Sequence, residues 1–415
     1  AVLPLHSYVA INRDSHRSSR MLKRALISGL PSAGVNVWDL TMLPIPVARY
    51  FVRKDPSTAA GIHVRLSPFD QRVVDIRFMN QEGVNQSRAN ERAIERVFFR
   101  EDFRRAYLND IGRIEYALHP QELYIEDFLQ HVDADAIRTG GHQLLVDYSH
   151  GSAGDALSAI LNRLGVDFLP LNALIDESKL AILRDQFQDD LRRMAKIMSV
   201  LNATVGVKLD VGGEKIFLVD ERGGVLDNIT ASLLMTELIC YAHPGGKIAL
   251  PITLPSSFET VARWHGVSVI YTKEALRDIM QAASQPDLLL ALDGSGHFLF
   301  PDFLPAPDAL MATVRLLENL TRRGLPVSEI VAYLPQTVMA HERVDCPWEK
   351  KGALMRRLHE RFQGDHVQTL DGFKIFLDNE EWVHIGPAPD KPYFQVRAEA
   401  ASPERATDLV VEYAN

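Results

Sequence analysis

Apolar positions along this chain change their period repeatedly. Short apolar runs alternate with stretches in which apolar residues recur every three or four positions. The first pattern predicts strands and the second amphipathic helices. A strand is expected over 8–11. A helix follows, with Met21, Leu22, Ala25, Leu26 and Leu30 on one face, a cap at Ser18 or Ser19 and a stop at Gly34. Strands are expected over 35–40 and 61–67, with a short helix between them after Pro44 and Pro46. A second round predicts strand 144–147, helix 154–164, strand 166–171, a long amphipathic helix over 179–201, a strand pair within 203–220 and a helix over 231–241. A third round predicts strands 247–252, 267–271 and 288–292 with helices 257–265 and 273–283. The tail differs: a helix over 348–362, four short strands (367–370, 373–377, 382–385 and 394–398) and a last helix over 403–413. The fold class expected is α/β. Three similar mixed-sheet α/β domains are followed by a smaller C-terminal α+β domain, with divisions at 1–138, 139–244, 245–338 and 339–415.

The 415 residues exceed what one hydrophobic core serves, which agrees with several domains. Hydrophobic residues at 46% and charged residues at 24% fit ordinary globular protein. A net charge of −9 lacks the positive excess that nucleic-acid binding needs. Cys240 and Cys346 form neither a disulfide framework nor a zinc spacing, which suits a reducing cytoplasm. No apolar run approaches the ~20 residues of a membrane span. No nucleic-acid or membrane partner is therefore expected. The opening AVLPLHSYVAINRD carries no initiator Met and reads as the start of a piece of something longer.

The stretch ATVGVKLDVGGEKIFLVD over 203–220 is the most telling. An apolar strand enters a tight Gly212-Gly213 loop, and a second strand leaves it. Asp210 and Glu214 lie on that loop, followed by Lys215. Magnesium takes oxygen ligands in an octahedron, commonly carboxylates with substrate phosphate. The two acids therefore read as candidate metal ligands, against the plainer reading of solvated acids on a β-turn.

Five segments, in order, resemble the α-D-phosphohexomutases, the phosphomannomutases and phosphoglucomutases. Residues 9–19, VAINRDSHRSS, look like that family's VGRDTRxSS. Ser67 falls where the family has its phosphorylated serine, in TASHNP. Residues 210–215 fall on its metal loop, DGDGDR. Asp293-Gly-Ser-Gly-His297 falls on its sugar-binding loop, GExSGH. Residues 386–395 fall on its phosphate-clamp loop, RPSGTEPKLR. The resemblance implies four domains around a central cleft. It also implies transfer of a phosphoryl group between a serine and a hexose phosphate, with positioning and charge neutralisation as the protein's main work. On it, Ser67 and Arg13 are the catalytic candidates. Lys273, Asp293, Ser295 and His297 are substrate-binding candidates, and Asp210 and Glu214 would hold magnesium.

The chain departs from the family at each of these loops. Around Ser67 the family's residues are replaced by Arg65, Leu66, Pro68, Phe69 and Asp70, while Arg77 keeps the charge of a family lysine. Gly212 stands where the metal loop has its second acid, and Lys215 where it has arginine, so magnesium binding is expected to be weak or absent. Asp293 replaces Glu, with Ser295 and His297 kept. Gly386, Ala388, Pro389 and Asp390 replace the Arg, Ser, Gly and Thr of the clamp, removing its guanidinium and hydroxyls. Two stretches, HVRLSPFD (63–70) and CPWEKKGALMRRL (346–358), resemble a divergent module that follows a nucleotidyltransferase domain in some bacterial mannose-1-phosphate guanylyltransferase-like proteins. Three functions stay open: a weak or inactive mutase-like module that binds a hexose phosphate or supports such a domain in the same polypeptide, an active mutase using phospho-Ser67 and magnesium, or a purely structural oligomerisation module.

Overall fold

A computed structural model describes residues 3–68, 70–181, 183–336, 338–364, 366–388 and 391–415. Phe69, Pro389 and Asp390, named above, lie outside the described residues. Four sheets follow one another along the chain. In the first, Tyr8–Arg13 lies parallel between Asn36–Asp39 and Thr58–Ser67. Asp70–Asn80 adds antiparallel on one side and Ile114–Tyr116 parallel on the other. In the second, Gln143–Asp147 lies between Asp167–Leu171 and Val205–Leu209, with Ile216–Val219 antiparallel beyond. The third repeats this with Lys247–Pro251 between Ser268–Thr272 and Leu288–Leu292, then the antiparallel Phe298–Phe300 and Leu304–Pro307.

By chain order, all three sheets share the arrangement 2-1-3-4, with strand 4 returning antiparallel from strand 3. The three rounds are thus one topology used three times, without a matching sequence repeat. The turn between strands 3 and 4 carries Ser67 in the first sheet, Asp210–Lys215 in the second and Asp293–His297 in the third. Each turn sits at the carboxyl end of a strand next to the point where strand order reverses, where open α/β sheets bind ligands.

The fourth sheet is antiparallel and has five strands, one more than the pattern predicted. The additional strand, Met339–Asp345, pairs along its whole length with Tyr393–Glu399. Its central residues His341, Glu342 and Arg343 are exposed, so this edge strand lacks the apolar alternation that would have revealed it.

Helix ends shift for local reasons. The first helix spans Arg17–Ser32 and is capped by His16, not by a serine. The His16 ring accepts from the Ser18 amide, and Ser19 is buried in the helix. The long helix expected over 179–201 begins only at Arg184 and ends at Met198. The preceding Leu180 and Ala181 pack instead against Leu66. One apolar core runs from Ala10 to Leu334 and unites the first three domains, whereas the last domain has its own core of Ile375, Val383, Phe394 and neighbours. Among the described residues, no helix is long and apolar enough to cross a membrane.

Candidate functional site

The three strand 3–4 turns meet. At their junction Glu214 is 1% exposed and faces three guanidinium groups. Arg49 lies 3.3 Å from Oε1. Arg77 and Arg65 lie 2.6 and 3.5 Å from Oε2. Arg49 comes from helix Ile45–Lys54 and is itself fully buried. Arg65 and Arg77 project from the hairpin that carries Ser67. Burial opposes charge on Glu214, but Arg77, Arg49 and Arg65 outweigh it and hold the carboxyl far below the usual carboxylate range. Burial pushes the Arg49 guanidinium down to about 10, with Glu214 working against the shift.

The rest of the loop is equally committed. Asp210 Oδ1 accepts from the Glu214 and Lys215 amides at 2.6 and 2.8 Å, and Oδ2 from Gly212 at 3.3 Å. The Gly212 carbonyl accepts from Ile45 and the Gly213 carbonyl from Ala309, each at 3.0 Å. These two amides open helices Ile45–Lys54 and Ala309–Arg323, so the loop satisfies donors that helix starts leave free. A Cβ at Gly212 would sit 2.9 Å from Ile45 Cδ1 and 3.4 Å from an Arg65 nitrogen. A side chain at 212, such as the metal loop carries, would therefore have to displace the Ile45 tip. This donor set does not fit a divalent cation, because the oxygens that would coordinate it already face N–H groups and guanidinium ions. Among the described residues, no group of three or more His, Cys, Asp or Glu side chains is placed to hold a metal ion.

The third turn is tied to the second. The Ile216 amide donates to the Gly296 carbonyl at 3.1 Å, and Lys215 Nζ donates to Ser295 Oγ at 2.8 Å. Gly296 has φ +101°, and a Cβ there would lie 2.7 Å from the Ile216 carbonyl oxygen, so the close approach requires glycine. Asp293 Oδ2 contacts Ser295 Oγ at 2.5 Å and His297 Nδ1 at 2.6 Å, while Oδ1 accepts the Ser295 amide at 2.7 Å. Burial again opposes charge, but His297, Lys215 and Ser295 hold the Asp293 carboxyl well below its ordinary value.

Ser67 ends its strand opposite Asp70 and is half-buried. Asp14 accepts from the Leu66 amide at 2.6 Å and from the His16 amide at 3.0 Å, fastening that hairpin to the first strand. The neighbouring Arg13 guanidinium donates to the Asp14 carbonyl, and burial lowers its affinity for protons. The space lined by Leu66, Pro68, Ser152 and Gly212 amounts to about 10 Å³. That is room for about one water.

The open space lies elsewhere. A cleft of about 710 Å³ runs between Arg88 of the first domain, Lys273 and Arg277 of the third, and Gly386 and Lys391 of the last. Its volume suits a small organic ligand. Among the described residues, Lys273 and Gly386 line it, whereas Ser67, Asp210 and His297 do not. Four cations and three acids line it, and burial pushes His384 beside them down to about 4, leaving that ring neutral near pH 7.

Arg49 escaped the sequence analysis. Its one signal there was a lone arginine among the apolar residues of IPVARYFVRK.

Three models of one family match the chain in order: phosphoglucomutase/phosphomannomutase α/β/α domain I over residues 2–105, domain II over 122–224 and domain III over 227–338. A phosphoglucomutase/phosphomannomutase of Thermococcus kodakarensis is 27% identical over 406 residues, covering 97% of this chain and 88% of that protein. Among solved structures, a phosphoglucomutase/phosphomannomutase family protein from Burkholderia thailandensis superposes with a TM-score of 0.82 at 22% identity, covering 98% of this chain and 89% of the other. An Aspergillus fumigatus N-acetylphosphoglucosamine mutase, solved with GlcNAc-6P and magnesium, gives 0.58 at 14% identity, with 98% and 82% covered. These two likenesses concern the fold. With three consecutive domain models matched over most of its length, the chain belongs to the phosphoglucomutase/phosphomannomutase family, the α-D-phosphohexomutases.

Proposed function

We propose that this chain binds a hexose phosphate in the cleft beside Lys273 and does not cycle a phosphoryl group through Ser67. The reading rests first on Glu214. In a carboxylate shared by Arg49, Arg65 and Arg77, the charge that would draw a metal is already neutralised. Phosphoryl transfer depends on cations held at the transferring group. Here Arg65 and Arg77, on the hairpin that carries Ser67, are turned onto a protein acid instead.

The cleft retains what a single phosphate needs. Lys273 is exposed at the end of strand Ser268–Thr272, and Lys391 lines the same space. Ammonium groups hold phosphate as point charges without the bidentate geometry of arginine. Gly386 and Ala388 offer no side-chain donor at the loop where the family grips its non-reacting phosphate. On this reading the module supports a partner in sugar-nucleotide metabolism. The resemblance of 63–70 and 346–358 suggests a mannose-1-phosphate guanylyltransferase domain as that partner.

Titration calorimetry with mannose 1-phosphate and glucose 6-phosphate tests the binding. Saturable heat is expected from at least one sugar, with affinity falling about tenfold in Lys273→Ala, as expected for one lost charge-assisted contact. Lys273 is exposed, so the variant keeps its fold. Absence of heat from the intact chain with both sugars would reject ligand binding and leave a structural role.

A further inference from the structure

No residue between 85 and 123 is buried, although this stretch holds the 13-residue helix Arg88–Arg100 and the strand Ile114–Tyr116. Most of its large apolar side chains stay exposed, and only Ala117 packs against the main core. Phe98, Phe99, Phe103, Tyr107 and Tyr116 are 55–83% exposed. At roughly 200 Å² for each ring side chain, they present on the order of 700 Å². Each partner in a standard interface commits about 800 Å², a comparable area.

The strand adds a direction. Ile114–Tyr116 is the last strand of its sheet. The Val37 amide donates to the Arg113 carbonyl and the Ala117 amide to the Asp39 carbonyl. The backbone groups of residues 113, 115 and 117 thus face the neighbouring strand. Those of Ile114 and Tyr116 point to the free edge. On one side of the pleat Ile114 and Tyr116 are 50% and 67% exposed, and Leu118, in the bend just past the strand, is 78% exposed. On the other, Glu115 accepts from Tyr8 Oη at 2.7 Å.

We propose that two copies of this chain associate through this face, with the edge strand pairing antiparallel to its own copy about a two-fold axis at Tyr116. In that register Tyr116 exchanges backbone hydrogen bonds with its counterpart, and Ile114 comes beside the bend that carries Leu118. The exposed row then forms aromatic and aliphatic cross-strand pairs. Glu115 faces Ala117, so no like charges oppose one another. The contact is isologous and closes on itself, leaving no free edge to recruit a third chain. The rings of 98–107 supply the apolar area beside the strands.

Sedimentation equilibrium of the intact chain tests the proposal. A species of twice the 46.5 kDa chain mass is expected. Tyr116→Glu sets two carboxylates against each other at the axis and should weaken association at least about 100-fold, since like charges juxtaposed in an interface cost several kcal/mol. Tyr116→Cys gives a second readout. Facing residues of a hydrogen-bonded pair lie about 5.5 Å apart at Cα, within disulfide reach. Mild oxidation should therefore crosslink Tyr116→Cys into dimers and leave Leu174→Cys, 85% exposed and outside this face, uncrosslinked. A single-chain mass at tens of micromolar overturns the proposal. So does a dimer that survives Tyr116→Glu and resists the crosslink.

Discussion

Glu214→Gln isolates the charge at the junction of the three turns. The amide keeps the shape and the acceptor oxygen but leaves Arg49, Arg65 and Arg77 facing one another around a neutral group, with Arg49 fully buried. At an effective dielectric near 20, one pair of charges about 4 Å apart is worth about 4 kcal/mol before desolvation. Removing one partner of a buried ion pair costs about 3–5 kcal/mol net. Because the core is continuous across the first three domains, the loss should lower their calorimetric transition by on the order of 10 °C. The pH dependence has a definite sign. The folded-state pKa of Glu214 is depressed, so its contribution is present above the ordinary carboxylate range near pH ~4.3 and fades as pH falls below it. The gap between wild type and variant should therefore narrow from pH 5 toward pH 3. If the acid held magnesium, EDTA would destabilise the wild type much as the substitution does. Our reasoning predicts no EDTA effect, and it fails if the variant melts within about 2 °C of wild type or if EDTA reproduces its loss.

Two other substitutions probe neighbouring features. Gly212→Asp restores the family's acid but drives a Cβ to 2.9 Å from Ile45 Cδ1. A loss of about 1–3 kcal/mol in chemical denaturation is expected, with no gain in magnesium affinity by calorimetry. Tight magnesium binding in that variant would show that the loop is still a cation seat. Lys374, buried between the third and fourth domains, donates to the Ile252 carbonyl at 2.9 Å and sits 4.0 Å from the Trp382 ring centroid. Burial lowers its pKa to about 8, so the folded chain releases this proton before the unfolded one, and stability should rise between pH ~8 and ~10.4 by up to about 3 kcal/mol. Urea midpoints of wild type and Lys374→Met across that window should differ in slope; parallel curves would refute the assignment.

The fold was largely legible because its signals are local. Helix Gly154–Leu164 and strand Leu288–Leu292 follow directly from apolar period, and the three turns lie on the element types that their sequences indicated. Boundaries failed where tertiary packing intervened, as when Leu180 and Ala181 joined Leu66 instead of the following helix. The charge network was not legible. Arg49 and Glu214 are 165 positions apart, and no spacing rule links a helix arginine to a loop acid in another domain. Sequence could expose the missing acid at Gly212. It could not show that Ile45 occupies the space or that arginines surround the acid that remains.

The mass of the intact chain shows whether Ser67 takes up a phosphoryl group. After incubation with glucose 1,6-bisphosphate and magnesium, an unchanged mass is expected. A stoichiometric gain of one phosphoryl group, lost in Ser67→Ala, would contradict it and return the chain to the active mutases.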